Sequence, residues 1–374
     1  MASPSGVLGT RLFITDSAIA STIDSEAEFM SQTWTEISLP SQLGEFGRLY
    51  DLATFQQVYD GRTYKLKGGY NEGQFPIQMA QDLSDSGQAL LKTASDAATQ
   101  DNYGFRLEFN DAPSTTGGPS MAFFRGIPMS YRTSLGAANA VMMAMSTVEI
   151  NGTIIRVDPA ELFDTFDAGG SLTHYELFNG SDAQAVDPVI SSNTLSLVSG
   201  DAGTGFAADG SQAIGDTGYT LSSGTTIVEA RLKLSAITNV GMFFGLTDQK
   251  AALEIPIESA ASADTITTNA TDAVGFMFDT SMSTDNIWFV GVNNNVDETA
   301  QNSATAPVAD TYVTLRMSIN SSGDATFYIN GTAIGSVMTT AAQTGVTLYP
   351  TLAVSARSTA SRTMTVDYLY LRQD

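Results

Sequence analysis

Cysteine is absent from this 374-residue sequence, and histidine occurs once, as His174. The chain therefore has no disulfide bond, no thiolate nucleophile, and no metal site built on cysteine or on a pair of histidines. A Ser-His-Asp triad would have to use His174, and no motif around that residue supports one. We interpret His174 as an ordinary surface or strand residue.

Long apolar runs are also missing, since none approaches the roughly 18 residues that a membrane-spanning helix needs. The first residues, MASPSGVLGTRLF, lack a basic segment followed by an apolar one. The sequence therefore predicts no secretion signal, and synthesis in the cytoplasm is the expectation.

Basic residues are scarce, with 17 lysines and arginines against 40 acidic residues and a net charge of −23. Nucleic-acid binders use lysine and arginine to displace counterions from phosphate groups, so ordinary nucleic-acid binding is disfavoured. An acidic wall along which DNA slides without sticking is compatible with this charge. Solubility alone explains it equally well.

The composition changes near residue 160, where RVDPAELFDTFDAGGS combines a proline with a Gly-Gly-Ser step. Most lysines and arginines precede this point, whereas serine, threonine, asparagine and glycine dominate after it. We predict two domains, residues 1–160 and 161–374, each long enough to bury its own core. The predicted fold class is mainly β.

Alternating apolar and polar residues in the first domain predict strands separated by turns. Asp60-Gly61 is the clearest tight-turn signal, and residues 17–32 fit either a loop or a short helix. The predicted strands are 11–15, 34–39, 64–67, 74–79, 103–109, 123–131 and 140–150.

One helix is predicted in this domain, over residues 85–98. Asp85 suits its N-cap, and Gln88 stands three residues later in the capping-box position. The narrow apolar face, which excludes Gln88, suits packing on the outside of a sheet. It consists of Leu90, Leu91, Ala94, Ala97 and Ala98.

The second domain shows short alternating strands and no convincing helix, which indicates a β-sandwich of jelly-roll type. From residue 311 on, the turns Gly323-Asp324 and Asn330-Gly331 and a last strand with an Asp-Tyr pair resemble concanavalin A-like lectin sandwiches. The resemblance implies that fold and leaves sugar binding open. The predicted strands are 194–197, 226–234, 241–246, 273–278, 287–292, 312–320, 325–329, 348–355 and 363–370.

Candidate chemical sites in the second domain have alternative explanations. Residues 293–298, NNNVDE, offer oxygen ligands that suit calcium, but their spacing is not that of a calcium loop. Lectin-like glycosidases carry Glu-x-Asp-x-x-Glu on a central strand, which is absent here, and Glu254 and Glu258 fit solvated loop charges. Trp288 and Tyr349 could stack on sugars, although a strand tryptophan is more often part of a core. We predict no catalytic residue, metal or cofactor.

The segment 75–101, FPIQMAQDLSDSGQALLKTASDAATQD, carries the most informative pattern in the chain. A strand with Pro76 and Met79 leads into an acidic turn with Asp82 and Asp85, then a Gly-Gln step and the helix. The flanking strands are GTRLFITD, YGFRLEFN and FFRGIPMSYRTSLGAANAVMMAMSTVEING. This order resembles the major tail tube proteins of long-tailed, non-contractile bacteriophages.

That resemblance implies a tail-tube β-sandwich or barrel with one flanking α-helix, which assembles into stacked hexameric rings around a DNA channel. An arm, residues 1–9, and a loop, residues 42–59, would bridge to the next ring. The second domain would project outward, where it could bind host glycans. The partners would be other copies of the chain, the tape-measure and tail terminator proteins, and DNA that passes without specific binding. The expected location is the virion tail, with no membrane partner.

The resemblance also implies roles for individual residues. Glu36, Glu45, Asp51 and Asp60 are the channel-lining candidates, although a one-residue change of strand register would reverse which of them face inward. The apolar hairpin tip 137–146 fits either a subunit interface or a core strand. The candidates for ring-stacking and interface contacts are Leu43, Phe46, Leu49, Tyr50, Phe55, Met142 and Met143.

Two alternatives to a tail tube subunit stay open. One is another virion component, such as a decoration protein, or the tube of a contractile secretion system. The other is a carbohydrate-binding lectin or glycoside-active extracellular protein, which the missing signal peptide and catalytic motif disfavour. The main expectation is a structural protein without enzymatic activity.

Overall fold

The structure, a computed structural model, describes residues 7–112, 117–160, 162–167, 171–203, 205–221, 224–260 and 264–373. The protein is mainly β, as predicted, and these residues form antiparallel sheets with three short helices. They divide into two compact units. The first comprises the described residues of 1–112 and 119–159, and the second those of 113–118 and 160–374.

The first unit contains ten strands and two helices. These are β1 (Arg11–Thr15), α1 (Glu26–Met30), β2 (Trp34–Glu36), β3 (Pro40–Leu43), β4 (Leu49–Gln56), β5 (Thr63–Asn71), β6 (Gln74–Ala80), α2 (Ser86–Asp96), β7 (Tyr103–Glu108), β8 (Met121–Ser134), β9 (Met143–Ile150) and β10 (Ile155–Val157). Eight strands form one sheet in the order β2-β1-β7-β8-β9-β6-β3, with β10 beside β8. Strands β4 and β5 form a separate two-stranded sheet.

Aromatic side chains fill the interior of the first unit. Phe105 stacks on Phe124 with 5.4 Å between ring centroids, and Phe75 meets Phe124 edge-on at 5.4 Å. Successive residues of a strand point to opposite faces, so the neighbouring Phe123 stands on the other side of the sheet. There Phe29 of α1 stacks on it at 5.6 Å. The sheet is therefore packed on both faces.

Helix α2 confirms the predicted helix, with Asp85 as its N-cap accepting the backbone N–H of Gln88 at 2.7 Å. The prediction of a full capping box is wrong, because the Gln88 side chain forms its hydrogen bonds with other segments and not with the N-cap backbone. It is buried, donates to the carbonyl oxygens of Ser38 and Ala80 at 3.0 and 2.9 Å, and accepts the backbone N–H of Asp82 at 3.0 Å. Gln88 thus joins α2 to the chain segments around it.

The apolar face of α2 is shorter than predicted. Leu91 and Ala94 are buried, and Leu90 is half-buried. Ala97 and Ala98 lie beyond the end of the helix and are exposed.

The second unit contains nineteen strands and one helix among its described residues. These are β11 (Leu162–Asp164), β12 (Tyr175–Asn179), β13 (Val186–Ser191), β14 (Thr194–Val198), α3 (Phe206–Asp209), β15 (Ser211–Gly215), β16 (Tyr219–Thr220), β17 (Thr226–Leu234), β18 (Val240–Thr247), β19 (Ile257–Ser259), β20 (Ile266–Thr268), β21 (Ala273–Asp279), β22 (Ile287–Asn293), β23 (Val296–Asp297), β24 (Gln301–Asn302), β25 (Val313–Ile319), β26 (Ala325–Ile329), β27 (Thr332–Met338), β28 (Thr347–Ala356) and β29 (Thr363–Gln373).

Two antiparallel sheets of the second unit enclose its core. One has the order β13-β14-β29-β17-β25-β26-β27, with β11 beside β29. The other, which we call the second sheet, has the order β12-β15-β28-β18-β21-β22-β23, with β16 beside β28 and β24 beside β22. Phe289 stacks on Phe327 across the interior at 4.5 Å, and Phe276 meets both rings edge-on. This is the predicted jelly-roll sandwich.

Several predicted elements need correction. Residues 42–59 are not a loop, because they include all of β4. Of the two interpretations of residues 17–32, the short helix is confirmed, since they contain α1, which begins with a capping box of Ser25 and Glu28. The strand predicted over residues 140–150 is β9, which begins at Met143, and it is not the final strand of the unit because β10 follows it. In the second unit, the four-residue helix α3 and many short strands were not predicted. Helix α3 and most of the strands that were not predicted have only two to five residues, so a periodic pattern has few positions in which to reveal them.

Candidate functional site

Strands β4 and β5, with the turn between them, form a ribbon, which we define as residues 49–71. Every residue of both strands is exposed to solvent. Large apolar side chains exposed together in this way are typical of a protein–protein interface. Those of the ribbon are Leu49, Tyr50, Leu52, Phe55, Val58, Tyr59, Tyr64, Leu66 and Tyr70.

The strand register gives the ribbon two different faces. Residues that pair directly across two strands share a face, and so do residues two apart along a strand. Phe55 pairs with Tyr64, whereas Leu52 pairs with Lys67. We call the two surfaces the apolar face (Phe55, Tyr64, Leu66) and the basic face (Leu52, Lys65, Lys67).

The turn of the ribbon confirms the Asp60-Gly61 signal. Gly61 has a φ of 65°, in the left-handed region that favours glycine, and its N–H donates to the carbonyl oxygen of Gln57 at 2.9 Å. The Asp60 carboxylate accepts the backbone N–H of Arg62 at 2.9 Å. Local sequence therefore specifies where the ribbon reverses.

Charged and aromatic side chains hold the base of the ribbon. Arg48 pairs with the buried carboxylate of Glu72, with Nε 2.7 Å from Oε1, and its guanidinium lies 4.2 Å from the centroid of the Tyr70 ring. The hydrogen bond to Glu72 raises the pKa of Arg48 above its usual value. The ring centroids of Tyr50 and Tyr70 lie 5.6 Å apart, and the Lys67 ammonium lies 4.6 Å from the centroid of the Tyr50 ring.

The ribbon is expected to be only marginally stable when both of its faces are exposed to water. A two-stranded sheet without a third strand or a covering helix is marginally stable, because its apolar side chains stay hydrated. Exposed strand edges also offer backbone groups to another chain. The chemistry that this surface supports is therefore binding to a second protein surface.

The predicted interface residues fall into two groups. Leu49, Tyr50 and Phe55 lie on the ribbon and are exposed. Leu43 and Phe46 pack against the core of the first unit, where Phe46 meets a core phenylalanine edge-on at 5.6 Å. Core packing accounts for Leu43 and Phe46 without an interface.

The tip between β8 and β9 carries the other two interface candidates. Met142 is 40% exposed, and Met143 is half-buried at the start of β9. Leu135 and Val141 beside them are also exposed, whereas Ala144 is buried. The tip is thus an exposed apolar surface that continues into a core strand, and its part in an interface stays a prediction.

The four channel-lining candidates lie on different elements. Glu36, on β2, forms an ion pair with Arg11 at 2.6 Å. Glu45 and Asp51 are exposed, and Asp60 belongs to the turn of the ribbon. Their position in a channel stays a prediction.

Residues 1–9 were predicted as an arm, and residues 1–6 lie outside the described part of the chain. Val7 and Leu8 are exposed, and the Leu8 carbonyl oxygen accepts a hydrogen bond from the Asn110 side chain at 3.1 Å.

Leu52, Tyr64, Leu66 and Tyr70 were missed by the sequence analysis. Residues 64–70, YKLKGGY, alternate like an ordinary half-buried strand, so nothing marked them as exposed. The sequence did contain one indication of an exposed hairpin. Both strands beside the Asp60-Gly61 turn carry apolar residues, and no helix that could cover them follows immediately.

The outer face of the second sheet is largely covered. Phe243, Met277, Trp288 and Val290 on that face are buried with side chains of α3 and of the β19–β20 segment. Trp288 is 3% exposed, so its interpretation as a core residue is confirmed. An apolar cluster therefore occupies the middle of this face.

Two carboxylates do meet at the margin of this cluster, and an arginine holds both. Arg357 Nη2 lies 2.5 Å from an oxygen of Asp279 and 3.0 Å from an oxygen of Glu258. Both carboxylates raise the pKa of Arg357 against the opposing effect of its burial. The prediction that Glu258 is a solvated loop charge is therefore wrong. It belongs to an ion-pair cluster that holds β19 against the sheet.

The calcium candidate, residues 293–298, is a tight turn. Asn294 and Asn295 have φ values of 50° and 60°, and the flanking Asn293 and Val296 pair as the ends of a hairpin. Asparagine tolerates this left-handed conformation better than most residues, which explains the run of asparagines. The Asp272 carboxylate accepts the Asn294 backbone N–H at 2.7 Å.

Among the residues that the structure describes, no three acidic or histidine side chains are grouped so that they could hold a metal ion. No helix in the described ranges is both long and apolar enough to cross a membrane. His174 precedes β12, and its carbonyl oxygen accepts the Asp216 N–H at 2.8 Å.

No protein-family model matches the chain, and no curated sequence matches it. Among solved structures, the chain is similar to a β-1,3-1,4-glucanase (lichenase) derived from a mouse hindgut metagenome, at 10% identity over 57% of this chain and 99% of that one, with a TM-score of 0.42. It is also similar to the Emp47p carbohydrate recognition domain, at 8% identity over 56% of this chain and 93% of that one, with a TM-score of 0.40. A third similar structure is a β-1,3-glucanase from Mycobacterium marinum, at 11% identity over 57% of this chain and 98% of that one, with a TM-score of 0.38. Likeness of this degree concerns architecture and assigns no activity.

Proposed function

We propose that this protein is a structural subunit that assembles with copies of itself. The single observation that supports the proposal is the ribbon, whose apolar side chains are exposed along both strands. Covering them in an assembly would remove apolar surface from water, worth about 25 cal/mol per Å².

The finer proposal is the one that the sequence resemblance implies. Copies of the first unit form stacked rings, as in the tail tube of a long-tailed phage, and the bore conducts DNA without binding it. The strongly acidic chain supports this, since a wall of like charge does not retain a polyanion. Tape-measure and tail terminator proteins are the partners that such a tube would have.

Assembly is tested with the purified full chain by analytical ultracentrifugation and negative-stain electron microscopy over a range of concentrations. We expect rings or tubes from the wild type and monomers from a Phe55→Ser/Leu66→Ser variant. Both side chains are exposed, so the substitutions leave the fold intact. The matched control is Val296→Ser/Val337→Ser, which changes exposed apolar residues of the second unit. A wild type that stays monomeric at every concentration would contradict the proposal.

Carbohydrate binding by the second unit is the second candidate function. The observation that favours it is a half-exposed aromatic ring, Tyr349, on the face of the second sheet, with the Lys250 ammonium 5.0 Å from its centroid. Lys250 also pairs with Asp216 at 2.9 Å. An open ring beside polar groups suits stacking on a sugar. A glycan array with the full chain tests this, and binding that survives Tyr349→Ala would exclude this site.

A further inference from the structure

A second surface feature of the first unit lies beside α2. It is a cleft of about 320 Å³ between the turn that precedes α2, the helix itself and β8. The side chains that define it are Asp82, Leu83, Lys92, Asp96 and Tyr131. Leu83 is 82% exposed. Among the residues described, neither Lys92 nor Asp96 takes part in an ion pair.

The cleft and the ribbon carry opposite charge. Asp82 and Asp96 outnumber Lys92 in the cleft. The basic face of the ribbon, in contrast, carries Lys65 and Lys67, two of only five lysines in the chain. An apolar side chain accompanies the charges on each side, since Leu83 belongs to the cleft and Leu52 to the basic face.

We propose that the ribbon of one copy binds, through its basic face, in the α2 cleft of a neighbouring copy. Leu52 packs against Leu83, and the two lysines meet Asp82 and Asp96. Within one copy the ribbon is exposed along its whole length and the cleft is open, so the contact joins different copies. This inference rests on the proposed function, self-assembly.

The proposed contact also determines the kind of assembly. Ribbon and cleft are different surfaces, so the contact is heterologous, and every copy offers one of each to its neighbours. Such a contact does not end at a dimer. It closes into a ring or continues as a filament, and the apolar face of the ribbon stays available to a further copy.

Cross-linking tests the proposal cleanly, because the natural chain has no cysteine. A Lys67→Cys/Asp96→Cys variant, oxidised mildly after assembly, is expected to give a ladder of covalent oligomers beyond the dimer. Mixing the two single variants should give covalent dimers that contain one of each. The control is Lys67→Cys/Val337→Cys, whose second cysteine lies on an exposed residue of the second unit. A ladder from the control but none from the test variant would overturn the proposal.

Charge reversal provides an independent test. Lys65→Glu/Lys67→Glu should weaken assembly by about tenfold or more at low salt, and Asp82→Lys/Asp96→Lys in the same chain should restore it. If the wild type assembles but the double reversal does not rescue and no cross-link forms, this contact is wrong and the proposed function stands. If the wild type does not assemble, both fail.

Discussion

At the residue scale, Asp324 shows how one carboxylate holds several segments together. It accepts the backbone N–H of Thr340 at 2.9 Å and the side-chain amide of Asn320 at 3.0 Å. The bond from Thr340 is the main reason that the pKa of Asp324 is lowered from its ordinary value of 3.8. A lowered folded-state pKa stabilises the protein above the unfolded-state value, and this contribution is lost as the pH falls through the folded-state pKa.

We therefore expect Asp324→Asn to unfold at a lower urea concentration than the wild type at pH 7. The difference should shrink as the pH falls below the unfolded-state pKa of about 4 and toward the lowered folded-state pKa of Asp324. Urea unfolding between pH 3 and pH 7 measures this, with Asp285→Asn, at an exposed position, as the control. A difference that stays constant down to pH 3 would mean that the charge of Asp324 is not involved.

At the scale of an element, α2 depends on a close approach to the neighbouring backbone. A Cβ at Gly87 would lie 2.1 Å from the Glu36 carbonyl oxygen, and the obstructing atoms belong to the main chain. Alanine would gain up to about 1 kcal/mol of helix propensity over glycine. Displacing packed backbone costs more, typically about 1–3 kcal/mol.

Gly87→Ala is therefore expected to lower the free energy of unfolding by up to about 2 kcal/mol, because the clash outweighs the propensity gain. Chemical denaturation of the full chain, monitored by circular dichroism, measures the change. Gly69→Ala is the matched control, since a Cβ there meets only Asp51 Oδ2 at 3.7 Å. Equal stabilities of the two variants would show that α2 can move away from β2 at no cost.

At the scale of the whole molecule, the chain has separate cores. The core of the first unit includes Phe124, and that of the second includes Phe327, and both side chains are fully buried. Replacing a buried phenylalanine with alanine typically removes about 3–5 kcal/mol. Two independent cores make two unfolding transitions the natural expectation.

Differential scanning calorimetry of Phe124→Ala and Phe327→Ala tests this expectation. Each substitution should lower the midpoint of one transition and leave the other within about 1–2 °C, because sites without shared partners act additively. A single transition that both substitutions shift equally would mean that the units unfold together.

Elements with strong local signals were predictable from the order of residues alone. Asp85 specified the start of α2, Asp60-Gly61 specified the turn of the ribbon, and the strands β17 and β26 have the bounds that were predicted for them. The mainly β class followed from the same periodicity. These features depend on contacts between near neighbours in the chain, and the local sequence determines such contacts directly.

Which apolar residues are buried depends on packing between distant segments of the chain. Leu43 and Phe46 pack on the core, whereas Leu52 and Leu66, of the same chemical kind, face solvent. Burial is set by strands distant in sequence, and among the described residues β4 and β5 pair only with each other. A local pattern gives little information on such distant neighbours, which is why the sequence indicated Leu49, Tyr50 and Phe55 as interface candidates but not the exposure of the whole ribbon.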